Sequence, residues 1–269
     1  MDKVYNIGFI GAGNMGAAIM RGIAGSPSAD RISLLAFDPD SSKVAALSDI
    51  GVTACSGEAE LTQKSDIVFL AVKPQIIEGV LEAAAPAVTP EKVIVSIAAG
   101  ITDEFIASKT VPDAKVILVM PNTPLLLGEG ASALSRNDRV TDDEFETVLG
   151  IFRSCGEAVV VPKDKMKEII AVNGSSPAFI YLFAKGFIDY AESAGIDRAA
   201  AQTLFAKSLI GSAKMITDSG FTLDELIKMV SSPGGTTLAG LDRLYEGRLT
   251  DVVKDCCNAC TKRAYELSK

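Results

Sequence analysis

The sequence predicts an α/β N-terminal domain with a mostly parallel sheet, followed by an all-α domain. Three observations carry that expectation. Up to about residue 162, short β-branched apolar runs alternate with helix-spaced segments, the pattern of β-α-β units covered on both faces. Between the first run and the first helical segment stand glycines at a G-x-G-x-x-G spacing. From about Lys163 onward the strand-like runs stop, and helix-spaced apolar residues punctuated by Gly continue to the end.

The strand candidates, in order, are NIGFI, ISLLAF, DIVFLAV, KVIVSI, KVILVM and EAVVV, separated by helical stretches such as SSKVAALSDI. The first domain is therefore expected over residues 1–162 and the helical one over 163–269, with the join near Val161 to Lys165. SPAFIYLFAKGFIDYAESAG and DRAAAQTLFAKSLIGSAKMITDSG are apolar on more than one helical face, which points to helices buried against a second copy of the chain.

The composition excludes several functions. With 48% hydrophobic residues but no apolar run approaching a membrane span, the chain reads as a soluble, cytoplasmic protein with no membrane partner. A net charge of −8 provides no basic stripe, so nucleic acid is not an expected partner. Five cysteines, an odd number, suit a reducing compartment. The C-x-x-C within Cys256, Cys257 and Cys260 lies in a helical pattern without a second pair, so buried structural thiols are expected and no metal site is. The chain has no histidine, which removes Ser-His and Cys-His nucleophiles and any His acid or metal ligand. Its chemistry must run on Lys, Tyr, Ser, Thr, carboxylates or a cofactor.

The glycine turn supplies the cofactor. GAGNMG (Gly11, Ala12, Gly13, Asn14, Met15, Gly16) joins a strand to a helix, as a Rossmann-type dinucleotide site requires. Gly11 permits the tight turn, Gly13 lets the backbone approach a pyrophosphate, and Gly16 allows close helix-to-strand contact. Asp38, at the end of the second strand, stands where a ribose-binding acid is expected and pulls toward NAD; as a turn or N-cap aspartate in DPDSS it would leave NADP open. The expected cofactor is NADP or NAD. Three further strands end in small or proline-bearing turns suited to a flat nicotinamide. These are AVKPQ with Ala71, Val72, Lys73 and Pro74; SIAAG with Ile97, Ala98 and Ala99; and VMPNTP with Asn122.

SSPGGTT, Ser231 to Thr237, interrupts two helical segments with residues that cannot build a core. Exposed amides ahead of a helix form an anion site without a cation, and Ser232, Gly234, Gly235 and Thr236 are its expected donors.

GFIGAGNMG, AVKPQ, SIAAGI, VMPNTPLLLGEGASAL, NGSSPAFIY and SSPGGTTLAGL, in this order and spacing, resemble the pyrroline-5-carboxylate reductase family over nearly the whole chain. The family usually reads SGSGP where this chain has NGSSP, so Asn173 and Ser176 are departures; Glu58 stands where many members carry Asn. The resemblance implies a Rossmann domain and a helical domain that interlocks at least two subunits. It implies hydride transfer to the C=N bond of a cyclic imino acid, giving L-proline in proline biosynthesis. It places substrate contacts at Ser175, Ser232, Gly234, Gly235, Thr236 and Thr237, with the Thr237 hydroxyl as the catalytic group at the ring nitrogen. Such an imine takes its proton from solvent before hydride arrives, which suits a chain without histidine.

Two other readings compete. A β-hydroxyacid dehydrogenase, or an imine reductase of similar architecture, shares the domain order, but the dehydrogenase's lysine and asparagine positions fall on Ile180 and Ala184, with Lys185 pointing elsewhere on the helix. A dinucleotide-binding protein without turnover would show the glycine turn and no reaction.

Overall fold

A computed structural model of the chain describes residues 4–268; residues 1–3 and 269, the outer ends of the two expected domains, lie outside it. Packing divides the chain into two compact units. One runs to Ser175 and takes back the chain from Ala259 onward; the other is Ser176–Asn258.

The first unit is built on an eight-stranded sheet in the order β3-β2-β1-β4-β5-β6-β7-β8. Its strands are β1 (Tyr5–Ile10), β2 (Ile32–Phe37), β3 (Thr53–Ala54), β4 (Ile67–Leu70), β5 (Val93–Ser96), β6 (Lys115–Met120), β7 (Gly130–Arg136) and β8 (Gly156–Val160). All neighbours are parallel except β6 and β7. The crossover helices are α1 (Asn14–Ala24), α2 (Ser41–Ala45), α3 (Glu58–Lys64), α4 (Ile77–Ala84), α5 (Asp103–Lys109) and α6 (Asp142–Arg153). β4 and β5 are buried along their full length because helices cover both faces, which is why their sequence runs are continuously apolar rather than alternating. One face closes over Phe9, Phe69 and Phe152, with the Phe9 and Phe69 rings stacked 4.4 Å apart. The other closes over Ile10, Leu70, Ile94 and Leu118.

Two strands differ from the expected set. β3 is only two residues long, and β7, reading GASALSR, is made of small and polar residues without a β-branched run, so neither carries a strand signature. β7 owes its place to neighbours: it pairs antiparallel with β6, and Asn122 Oδ1 accepts the Ala131 N–H at 2.9 Å.

Strands end with β8, where the sequence places its join, but compactness extends further. Met166 is buried in the sheet's second core, and Asn173 Nδ2 donates to Met120 O at 2.7 Å and Ala131 O at 2.9 Å. Asn173, the departure from the family loop, thus fastens that loop to the ends of β6 and β7.

The second unit contains α7 (Ser176–Ser193), α8 (Arg198–Asp218), α9 (Leu223–Met229), α10 (Thr236–Glu246) and the first part of α11 (Leu249–Leu267). Phe183, Phe187 and Phe205 pin α7 to α8, with Phe187 and Phe205 stacked at 4.4 Å. Asp197 caps α8, and Thr222 with Glu225 forms a capping box on α9. The cysteines correct an expectation: Cys155 is buried, whereas Cys55, Cys256, Cys257 and Cys260 are half-buried, because the helix carrying the last three keeps an open face in the single chain. No helix among the described residues is long and apolar enough to cross a membrane.

Candidate active site

The parallel strands β1, β4, β5 and β6 are consecutive in the sheet, so the turns that follow them lie along one edge. That topology brings together Gly11–Gly16, Ala71–Pro74, Ile97–Ala99 and Asn122, the residues expected around a dinucleotide. The three glycines differ in conformation and in the space around them. Gly11 holds φ at +103°, and a Cβ there would meet Ala71 O at 2.4 Å; at Gly16 it would meet Gly11 O at 2.4 Å. Gly13 has open space within 4 Å, the room a pyrophosphate needs against the backbone. Gly13 is also the N-cap of α1 and no side chain caps that helix, so its first-turn amides are available to an anion. The residues present therefore fit a bound dinucleotide.

Asp38 fastens the glycine turn. Its Oδ2 accepts the Ala12 N–H at 3.0 Å, while Oδ1 accepts the Asp40 N–H at 2.9 Å and Lys43 Nζ at 3.1 Å. Gly11 N–H donates to Phe37 O at 2.8 Å, so the ends of β1 and β2 are joined by backbone and side chain together. Burial works against the Asp38 charge, but the two amides and Lys43 outweigh it and hold the carboxyl below the usual carboxylate range. The cap of α2 is Asp40, which accepts from Ser42.

Asn122 is the N-cap residue of the short helical turn Thr123–Leu127, and its side-chain oxygen is engaged by β7. A cavity of about 290 Å³ opens beside the SIAAG turn, lined by Ser96, Ala98, Gly100, Leu118, Met120 and Met166 among others. Asp103, also in its wall, pairs with Lys163 at 3.0 Å, and burial pushes its carboxyl up.

The expected substrate residues fall in two places. Ser175 lies in the first unit, its hydroxyl 3.3 Å from the Cys260 thiol, a neighbour the sequence spacing did not reveal. Ser232, Gly234, Gly235, Thr236 and Thr237 lie in the second unit. There Gly235 N–H donates to Ser232 O at 3.0 Å across Pro233 and Gly234, with Gly234 at φ +71°: a type II turn, for which Pro and a positive-φ Gly are the preferred central residues. The Gly235 amide is thereby engaged within the turn and contributes shape rather than a free donor, a correction to its expected role. Gly235 is the N-cap of α10 and no side chain caps it, so Thr236 and Thr237 open the helix with exposed side chains. Thr237 lies two residues beyond the cap, as the second residue of α10, which leaves its hydroxyl for another partner. On α7, Lys185 is paired with Asp189, and Ile180 and Ala184 occupy the positions a β-hydroxyacid dehydrogenase would need to be polar.

Comparison with known proteins decides among these readings. Residues 6–100 match the family model described as NADP oxidoreductase, coenzyme F420-dependent, and residues 163–267 match pyrroline-5-carboxylate reductase dimerisation. The chain is 38% identical to the pyrroline-5-carboxylate reductase of Escherichia coli K12 over 100% of both chains. The chain belongs to the pyrroline-5-carboxylate reductase family. A Methanosarcina acetivorans reductase is 35% identical over 98% of both chains. Among solved structures, the pyrroline-5-carboxylate reductase of Coxiella burnetii superposes with a TM-score of 0.91 at 30% identity, covering 99% of this chain and 100% of that one. A Plasmodium falciparum pyrroline carboxylate reductase, solved with NADP bound, gives 0.88 at 28%, covering 98% of each.

Proposed function

We propose that this chain reduces 1-pyrroline-5-carboxylate to L-proline with NADPH or NADH, the last step of proline biosynthesis. The observation that carries the reading is the end-to-end match to the Escherichia coli reductase, spanning the glycine turn, the three strand-end turns and SSPGGTT.

Reduced nicotinamide, when bound, supplies a hydride. The remaining tasks belong to the chain. The amides at the start of α1 hold the pyrophosphate, with Asp38 fixing the loop through Ala12. The small turns at Ala71–Pro74 and Ile97–Ala99 admit a flat ring. The open amides of the SSPGGTT turn and of α10 anchor the substrate carboxylate, giving local attraction for an anion in a protein of net charge −8. The Thr237 hydroxyl oxygen accepts a hydrogen bond from the N–H of the protonated imine and so orients the ring. Hydride adds to the C=N carbon and one proton, taken from solvent, ends on nitrogen, so no strong side-chain acid is needed.

The active form is a homo-oligomer, at least a dimer, joined through the C-terminal helices, in keeping with the matched dimerisation model. A reducing cytoplasm suits five unpaired cysteines. Mixing the purified enzyme with pyrroline-5-carboxylate and NADH or NADPH should bleach the reduced-nicotinamide absorbance with equimolar proline formed. No oxidation with either cofactor would leave a dinucleotide-binding protein without turnover.

A further inference from the structure

We infer that this chain is built for the dinucleotide lacking a 2′-phosphate, NADH, and that Asp38 makes the choice; the inference rests on the dinucleotide reading above. In a sheet of this topology the adenosine ribose lies beside the end of β2, next to the glycine turn. Asp38 follows Phe37, the last residue of β2, and its Oδ2 holds the amide of Ala12 inside that turn. The carboxylate is 9% exposed, ionised, and fixed by donors on three sides. Three bonds leave a two-oxygen carboxylate about one acceptor site free, enough for one ribose hydroxyl.

A phosphate at the same place meets a different field. Lys43 is the cation bonded there, and it is already shared: its ammonium is 3.1 Å from Asp38 Oδ1 and 4.0 Å from Asp40 Oδ2. To reach a 2′-phosphate, which carries about −1.5 to −2, Lys43 would have to release a nearly buried ionised carboxylate. The first turn of α3, the helix that follows β3 beside β2, adds Glu58 and Glu60; Glu60 is held by Lys64 and Ser56. On the segments that follow β2 and β3, the carboxylates Asp38, Asp40, Glu58 and Glu60 thus outnumber Lys43 and Lys64. A hydroxyl donates into that field, and a phosphate is repelled by it. The matched N-terminal model is described by NADP, so the charge arrangement of this chain separates it from that description.

The test is binding without turnover, using ADP-ribose and its 2′-phosphorylated form titrated calorimetrically against the full-length protein. Wild type should bind ADP-ribose at least about tenfold more tightly. Asp38→Ser should narrow or reverse that ratio, and Lys43→Gln should widen it by weakening the phosphorylated ligand. The isosteric Asp38→Asn serves if the serine variant is unstable. Equal or tighter binding of the phosphorylated ligand by wild type overturns the inference alone. Loss of affinity for both ligands by the same factor in the Asp38 variants overturns the discriminating role, since a carboxylate that only held the loop would act that way. Binding of neither ligand to wild type overturns the dinucleotide reading and the inference with it.

Discussion

At the scale of single residues, Thr237 is the group whose removal separates chemistry from binding. It is the second residue of α10, outside the capping position, and its side chain is exposed. Thr237→Ala should lower kcat by about 10–100-fold, the value of one hydrogen bond to a charged or charging partner. Thr237→Ser should retain most of the rate, and the dissociation constant of the cofactor should not move in either variant. A rate that survives in the alanine variant assigns the proton contact elsewhere. Single residues were unevenly legible in the sequence. Gly11, Gly13 and Gly16 are legible because the spacing follows from backbone geometry: a Cβ would be crowded at Gly11 and Gly16 and meets open space at Gly13. Asp38 was half legible: its place after β2 could be read, but its grip on Ala12 joins residues 26 apart and depends on side-chain direction. Asn173 was visible only as a departure from a pattern, and its two bonds to the ends of β6 and β7 explain it.

At the scale of elements, the SSPGGTT turn makes two glycines differ in kind. Gly234 sits at φ +71° with open space where a side chain would go, so Gly234→Ala meets backbone strain of about 1–2 kcal/mol and no clash. Gly235 has an ordinary φ of −82°, but a Cβ there would fall 2.6 Å from Ser232 Oγ and 3.0 Å from Ser232 O. Gly235→Ala must therefore displace Ser232 and open the turn. Both variants should raise the KM for the imino acid, Gly235→Ala by roughly tenfold or more for each 1.4 kcal/mol of carboxylate binding lost, with the cofactor KM unchanged. A shift confined to the cofactor would remove the carboxylate from this turn. The sequence announces this turn because Pro and Gly have few uses inside a helical region. It is silent about β7, whose small and polar residues form a strand only because β6 and β8 offer paired edges.

At the scale of the whole molecule, the second unit is incomplete as a single copy. Within Ser176–Asn258 the buried residues are Pro177, Ala191 and Ala201, and no large apolar side chain is among them. Leu182, Tyr190 and Leu204 are about 70% exposed, at 71%, 72% and 68%. A unit of this size ordinarily buries a core of Leu, Ile and Phe, each worth about 1.5–3 kcal/mol. Here the apolar residues are present and the core is not, so a second copy is the expected cover for the missing side, in keeping with the dimerisation model matched by residues 163–267. Light scattering should therefore give at least twice the 28.1 kDa mass of one chain. Leu182→Glu and Tyr190→Glu discriminate sharply, because an exposed surface change in a monomer shifts stability by no more than about 0.5 kcal/mol, whereas a carboxylate buried at a subunit contact is strongly disruptive. The variants should lose assembled mass and unfold at lower temperature together. If both keep the native mass and midpoint, that face of α7 lies outside the contact, and the open surfaces of α8 and α11 become the ones that must close it.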